Sequence, residues 1–222
     1  MTSALISLDV GGTLATVNGT TLPALLVAAS PLEASKARLI VRRHLHTHPH
    51  ITEAVVAQVC TALELPESAF PRNPRAAPVH LVPGAVAAAR RLSQLATVVT
   101  LSNVTCLDAG TTELRAALSP WISDHFPSSR IGYAKPDAAA FEAVALACGS
   151  TTADMVHIGD DWQCDVLGAV AVGAKAVWIS HHRPVPDVDL LRDHDILVTT
   201  DLPAASRLVA DRVAERRTRR RR

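Results

Sequence analysis

From Pro83-Gly84 to Arg216, short apolar runs alternate with helix-patterned stretches. The runs are Ala96–Leu101, Met155–Ile158, Ala174–Ile179 and Ile196–Thr199, and the helical stretches fall near 84–94, 105–118, 138–148, 165–172 and 204–216. A chain that follows each strand with a helix brings the next strand back alongside in parallel, so the pattern predicts an α/β fold with a doubly wound parallel sheet. Residues 4–8, Ala-Leu-Ile-Ser-Leu, add a further buried strand that ends on a tight turn at Asp9-Val10-Gly11-Gly12. Pro83 precedes one helix and Gly149 stops another.

Between residues 15 and 80 the pattern differs. Helical spacing covers 22–29, 32–45 and 52–64, with Thr52 as an N-cap and Ala54, Val55, Val59, Ala62 and Leu63 along one face. No strand is expected there, and Pro71 to Pro78 reads as a connector. The expected organisation is a core of residues 1–15 and 81–210, a helical insertion at 16–80 and a basic tail at 211–222. Aromatics are 3% and apolar residues 48%, so the core must be built from Ala, Val, Leu and Ile.

Composition narrows the setting. Cys60, Cys106, Cys148 and Cys164 form no Cys-x-x-Cys pair and no zinc spacing, which fits reduced thiols in a cytoplasmic protein. The first residues carry no charged leader, and no apolar run is long enough to span a membrane. The arginines of the tail could meet nucleic acid, but nothing else resembles a nucleic-acid platform, so the tail reads as a solvated C-terminus. The sequence leaves a small homodimer open.

Polar residues gather at the ends of the strands. Asp9 and Thr13 follow the first, Ser102 and Asn103 the second, and Gly159, Asp160, Asp161 and Asp165 a third. In a doubly wound sheet such ends meet at one crevice. Lys135, one of only three lysines beside Lys36 and Lys175, sits in a loop at a sequence distance suited to join them. Carboxylates crowded together need a cation, and oxygen ligands from Asp9, Asp160 and Asp165 suit Mg2+. A lysine neutralises developing negative charge, while Ser102 and the amides of residues 10–13 can donate to phosphate. An aspartate so placed can attack phosphorus.

Taken together these segments resemble the haloacid dehalogenase-like hydrolase superfamily. Asp9-Val10-Gly11-Gly12-Thr13-Leu14 is similar to its first motif and Thr100-Leu101-Ser102-Asn103 to its second. Lys135-Pro136-Asp137 is similar to the third, and Gly159-Asp160-Asp161-Trp162-Gln163-Cys164-Asp165 to the fourth. The resemblance spans roughly residues 4–180. It implies a Rossmann-like core of strand order 5-4-1-2-3 with a small helical cap between the first two motifs. It also implies Asp9 as nucleophile and metal ligand, with the Gly11 carbonyl and Asp160 completing the protein's share of a Mg2+ site. Asp161 is the alternative to Asp160. Ser102 and Lys135 would hold the phosphoryl group, with Asn103 and Gly12 beside them, while Asp165 orients Lys135 and Thr13 supports the turn.

One position departs from the pattern. Phosphatases of this superfamily carry a second aspartate two residues after the nucleophile, as general acid and base, and here that residue is Gly11. Such help is typically worth 10²–10⁴-fold. Four readings follow: a hydrolase of substrates with good leaving groups; a phosphatase whose acid comes from the segment His44-Leu45-His46-Thr47-His48-Pro49-His50; carbon–halogen or carbon–phosphorus chemistry; or a catalytically silent phosphate-binding protein. Lys36 lacks the surroundings of a Schiff-base lysine. His157 reads as a core residue, Trp162 as a packing or rim residue, and His181-His182-Arg183 as added positive charge near the crevice. The favoured expectation is a cytoplasmic Mg2+-dependent phosphatase acting on a small phosphorylated metabolite.

Overall fold

The apolar run at the N-terminus becomes strand β1 (Leu5–Leu8), buried at every residue. In this computed structural model, which describes residues 4–108 and 112–220, β1 lies at the centre of a six-stranded parallel sheet. The other strands are β4 (Thr97–Ser102), β5 (Asp124–Pro127), β6 (Met155–Gly159), β7 (Lys175–Ile179) and β8 (Leu197–Thr199), and the order is β5-β4-β1-β6-β7-β8. This is the expected arrangement read from the opposite edge, extended by β8. A short antiparallel pair, β2 (Ala15–Val17) with β3 (Val79–Leu81), stands apart from the sheet.

Register sets the site. Leu8 is level with Thr100 on β4 and with Ile158 on β6. The next residues of all three strands therefore leave the sheet at the same edge, which brings Asp9, Ser102 and Asp160 toward one crevice. Alternation along β1 serves both faces. Ile6 and Leu8 pack with helices α4 (Ala85–Ser93) and α10 (Leu202–Arg220) through Ala85, Ala88, Ala89, Leu92, Leu202 and Ala205. Leu5 faces the other way, toward Phe141 and Val144 of α7 (Ala138–Ala147) and Trp178. Alanine-rich helices approach the sheet closely, which suits a chain poor in aromatics.

Helices α1 (Leu22–Ala29), α2 (Ala34–His44) and α3 (Glu53–Ala62) bury a cluster of their own that includes Leu26, Val41, Leu45, Val59, Leu63 and Phe70. Thr52 caps α3 through the Val55 amide, as its sequence position predicts. The buried face is corrected in one place: Ala54 is exposed and Cys60 takes a buried position instead.

Other differences have local causes. The expectation of no strand between 15 and 80 fails at β2. Its three residues pair with β3 across 64 positions of sequence, as Thr16 opposite His80 shows, and a strand of that length shows no period. β5 was hidden because Asp124 and His125 break its apolar run. The helix expected at 105–118 is α5 (Thr112–Leu118) alone. Residues 105–108 form a turn instead, in which the Thr105 hydroxyl donates to Asp108 Oδ2 at 2.7 Å; residues 109–111 lie outside the described residues. Short helices α6 (Ser128–Ile131), α8 (Gly168–Ala171) and α9 (Val188–Asp193) complete the connections. The side chains of the arginine tail from Arg216 onward lie outside the described residues, so its expected solvation is neither supported nor opposed. Among the described residues no helix is long and apolar enough to cross a membrane.

Gly168 marks where α8 meets α7. A Cβ there would lie 2.8 Å from the Phe141 ring and 3.0 Å from the Pro136 backbone. Overpacking outweighs the gain in helix propensity. Gly168→Ala is expected to destabilise the fold by about 1–3 kcal/mol, read from the midpoint of urea denaturation; an unchanged or higher midpoint would show that this packing yields freely.

Candidate active site

The turn after β1 is held by its backbone. The amides of Leu14 and Ala15 both donate to the Val10 carbonyl, at 3.0 and 2.8 Å, and Gly12 N donates to Ala15 O at 2.8 Å. Thr13, expected to support this turn, is buried within it, and its Oγ1 has no hydrogen-bond partner among the described residues. Gly12 has φ +76°, and a Cβ on it would lie 2.6 Å from the Asp160 carboxylate. Only glycine combines that backbone with that approach. Its carbonyl lies 2.8 Å from His181 Nε2.

Lys135 is buried, and its ammonium donates to Asp9 Oδ1 at 2.7 Å and to Asp165 Oδ1 at 2.6 Å. Asn103 anchors the lysine's backbone: its amide donates to Lys135 O at 2.7 Å, and its carbonyl accepts from Lys135 N at 2.8 Å. This side chain, expected to bind substrate, is thus engaged in positioning. Ser102 is buried and borders the same cavity as Asp9 and Lys135.

Asp165 is the most heavily engaged carboxylate. Its Oδ2 accepts from the Asp161 amide at 2.8 Å, and His157 Nε2 lies 3.1 Å from its Oδ1. His157 in turn lies 3.1 Å from Ser7 Oγ. The sequence placed His157 in the core, correctly, but could not show that it reaches Asp165 eight residues on. A π-helical turn at Trp162–Leu167 aims Asp165 inward, a distortion often found at functional sites. Gly159 permits it, since a Cβ there would lie 2.2 Å from Asp165 Cγ. Asp161 caps the turn by accepting from the Cys164 amide at 2.9 Å. Trp162 packs edge-on against Trp178, ring centroids 5.1 Å apart, and also borders the cavity.

One lysine between two buried carboxylates divides their charge unequally. For Asp165, burial opposes ionisation, but Lys135 and the hydrogen bond with His157 outweigh it and hold the carboxyl well below its ordinary range. For Asp9, burial wins. Assisted by repulsion from Asp165 and Asp160, it lifts the pKa from 3.8 to about 7 against the pull of Lys135. Burial would lower the Lys135 pKa, yet its two carboxylates raise it, so the ammonium stays charged. Burial also raises Asp160, with a further push from Asp165, against Arg183.

Among the described residues, Asp9, Asp160 and Asp165 offer oxygens within 4.8 Å of one another. The arrangement fits a hard divalent cation. Asp165 is occupied at both oxygens by Lys135, His157 and the Asp161 amide, so Asp9 and Asp160, each bonded at one oxygen, are the carboxylates better able to ligate. Arg183 already lies on Asp160, its guanidinium donating to the backbone carbonyl at 2.5 Å and to Oδ2 at 3.3 Å. Gly11 borders the same cavity. Its position is open: a Cβ there meets no atom within 4 Å, and its backbone is not left-handed.

The cavity has a volume of about 520 Å³. It is bordered by Asp9, Ser102, Asn103, Lys135 and Asp160 at one end. Of the histidine run, His46 alone borders it; His48 lies against Thr47, 3.3 Å from its hydroxyl, and His50 is exposed. No sequence signal distinguishes His46 from its neighbours.

Comparison with known proteins bears on the fold. The HAD-hydrolase-like family model matches residues 132–187. A 2-haloacid dehalogenase from Pseudomonas syringae shares 17% identity at a TM-score of 0.60, covering 94% of this chain and 99% of that one. A HAD phosphatase from Thermococcus onnurineus shares 16% at 0.57, covering 94% and 98%. A putative HAD-hydrolase from Bacillus subtilis, bound to magnesium, shares 16% at 0.54, covering 95% and 100%. No curated protein matches the chain. The family-model match covers one segment of the chain, and the solved structures show that the whole chain shares the haloacid dehalogenase-like fold. Its structural neighbours include both phosphatases and dehalogenases.

The charge balance gives a test. A carboxyl whose folded pKa lies above its unfolded value favours the fold while protonated. The Asp9 contribution is therefore full below pH 3.8 and is lost as pH rises to about 7. Asp165 runs the other way, its contribution intact at neutral pH and lost only in acid. In EDTA, Asp9→Asn is expected to melt above wild type at pH 8, with the gap closing by pH 5, while magnesium raises the wild type more than the variant. A variant that melts below wild type at pH 8 in EDTA would overturn this electrostatic account.

Proposed function

We propose that this protein is a hydrolase, a Mg2+-dependent phosphatase that removes phosphate from a small phosphorylated metabolite, with residues 16–80 serving as a cap over the site. The observation that carries the reading is the convergence of the Asp9 and Asp160 carboxylates with a buried, charged Lys135 on one cavity. Facing carboxylates would repel a phosphate unless a cation lies between them. Residues Asp9 and Asp160, with the Gly11 carbonyl, would hold Mg2+, which when bound neutralises charge on the phosphoryl oxygens.

The chain's own groups supply the rest. One Asp9 oxygen forms a bond to phosphorus as the bond to the leaving oxygen breaks, and that oxygen keeps the electron pair. Lys135 places positive charge beside the attacking carboxylate, and the Ser102 hydroxyl donates to a phosphoryl oxygen. Asp165, held by the Asp161 amide and His157, keeps Lys135 in place. Water then attacks the aspartyl phosphate at phosphorus, releasing inorganic phosphate and restoring Asp9. With Gly11 in place of an acid, the best substrates have leaving groups that depart without protonation, such as acyl phosphates. The free cysteines suit a reducing, cytoplasmic setting.

A second reading is a dehalogenase, favoured by Gly11 and by structural neighbours such as the L-2-haloacid dehalogenase RSc1362. Asp160 counts against it, because a haloacid's own carboxylate would enter beside two aspartates. A silent phosphate-binding protein would instead be stabilised by phosphate without turnover.

Phosphate release from metabolites and acyl phosphates, with and without Mg2+, decides among them. Wild type is expected to turn over acyl phosphates only with Mg2+, and Asp9→Asn to fall to background. Because position 11 has room for a side chain, Gly11→Asp is expected to speed alkyl phosphate hydrolysis at least tenfold, part of the roughly 10²–10⁴-fold that acid–base help contributes. Full activity in Asp9→Asn, or halide release from haloacids without Mg2+, would sink the proposal.

A further inference from the structure

The inserted segment contributes Val17, Thr21, Pro23, His46 and Val79 to the cavity wall. Val17, Pro23 and Val79 are apolar. The Thr21 hydroxyl oxygen caps α1 by accepting from the Ala24 amide at 3.3 Å. His46 follows the end of α2, tied by its own amide to the Val41 carbonyl at 3.2 Å. Both of its ring nitrogens are buried and have no hydrogen-bond partner among the described residues. An imidazole with two buried, unsatisfied nitrogens costs stability. A cavity wall is where such a cost has a use: the missing partner can arrive with a ligand.

Resting on the phosphatase reading, we propose that His46 is the specificity-determining contact for the leaving-group side of the substrate. The substrate is then a phosphorylated compound whose organic part is uncharged, mainly hydrocarbon and carries a hydroxyl or carboxamide. Three observations select this class. The inserted segment's share of the wall holds no charged side chain to match an ionic group. Its apolar members favour a carbon-rich body. Burial, with Arg42 nearby, lowers the His46 pKa to about 4, so the ring is neutral at pH 7 and offers one donor and one acceptor, the pair that a hydroxyl or carboxamide complements. The cavity's size limits the organic part to a small molecule.

The test compares phenyl phosphate with its meta-hydroxymethyl and meta-carboxamide derivatives, on wild type, His46→Leu and His46→Gln. Wild type is expected to show a KM about tenfold lower for at least one derivative than for phenyl phosphate, the discrimination of roughly one hydrogen bond. His46→Leu should erase that advantage with kcat within threefold, His46→Gln should retain it, and KM for phenyl phosphate should not move. Equal KM values for all three compounds, a derivative KM untouched by His46→Leu, or a fall in kcat on phenyl phosphate would each overturn the assignment. The same compounds titrated calorimetrically onto Asp9→Asn protein separate two failures. Absence of binding by any phosphate defeats the phosphatase reading itself, whereas binding that His46→Leu leaves unchanged defeats only the role of His46. Melting gives a readout free of ligand: removing two unsatisfied nitrogens should raise the midpoint by about 2–4 °C, and a fall of several degrees would show a packing role instead.

Discussion

A single buried ammonium holds this site together. Lys135 lies between Asp9 and Asp165, and without it two carboxylates would face each other away from water. Removing the ammonium from such a group typically costs about 3–5 kcal/mol, because the carboxylates are left uncompensated. The surrounding structure serves this arrangement. Asn103 holds the lysine's backbone at both its amide and its carbonyl, and His157 with the Asp161 amide holds Asp165. The outcome is an asymmetric pair: Asp165 is firmly ionised, while Asp9 is lifted to about 7. Asp9 is the less engaged of the two, bonded through Oδ1 to Lys135, while Asp165 is bonded through both oxygens.

Close packing explains the glycines around this group. Gly159 and Gly12 sit where a Cβ would strike the carboxylates of Asp165 and Asp160. Both keep backbone and acidic side chain in contact, so the acids are placed by the shape of the main chain as much as by hydrogen bonds. Gly11 is different. Nothing fills the space beside it, and its backbone tolerates any residue. Neither packing nor backbone conformation therefore demands a glycine there.

Much of this was legible in the residue order. Apolar runs of four to six residues, alternating with helical stretches, marked β1, β4, β6, β7 and β8 and their parallel sheet, although α9 after β7 gave no signal. Asp9, Ser102, Asp160 and Asp165 were visible as polar residues at strand ends. The signal failed where elements were too short or mixed to show a period, as in β2, β3 and β5, and where a turn bonded by Thr105 and Asp108 replaced a helix. Nor did it show that Asn103, which borders the cavity, also holds the backbone of the lysine loop.

The sequence by itself determined the fold class, the superfamily resemblance and the residues gathered at the crevice. These depend on local periodicity and on the order of motifs along the chain, and both are written in one dimension. Tertiary structure decided which carboxylate is the more engaged, that His157 supports Asp165, and that His46 rather than His44, His48 or His50 borders the cavity. Those distinctions depend on burial and on distances between segments far apart in the chain. Neighbouring histidines with the same local context differ only in what the fold places beside them.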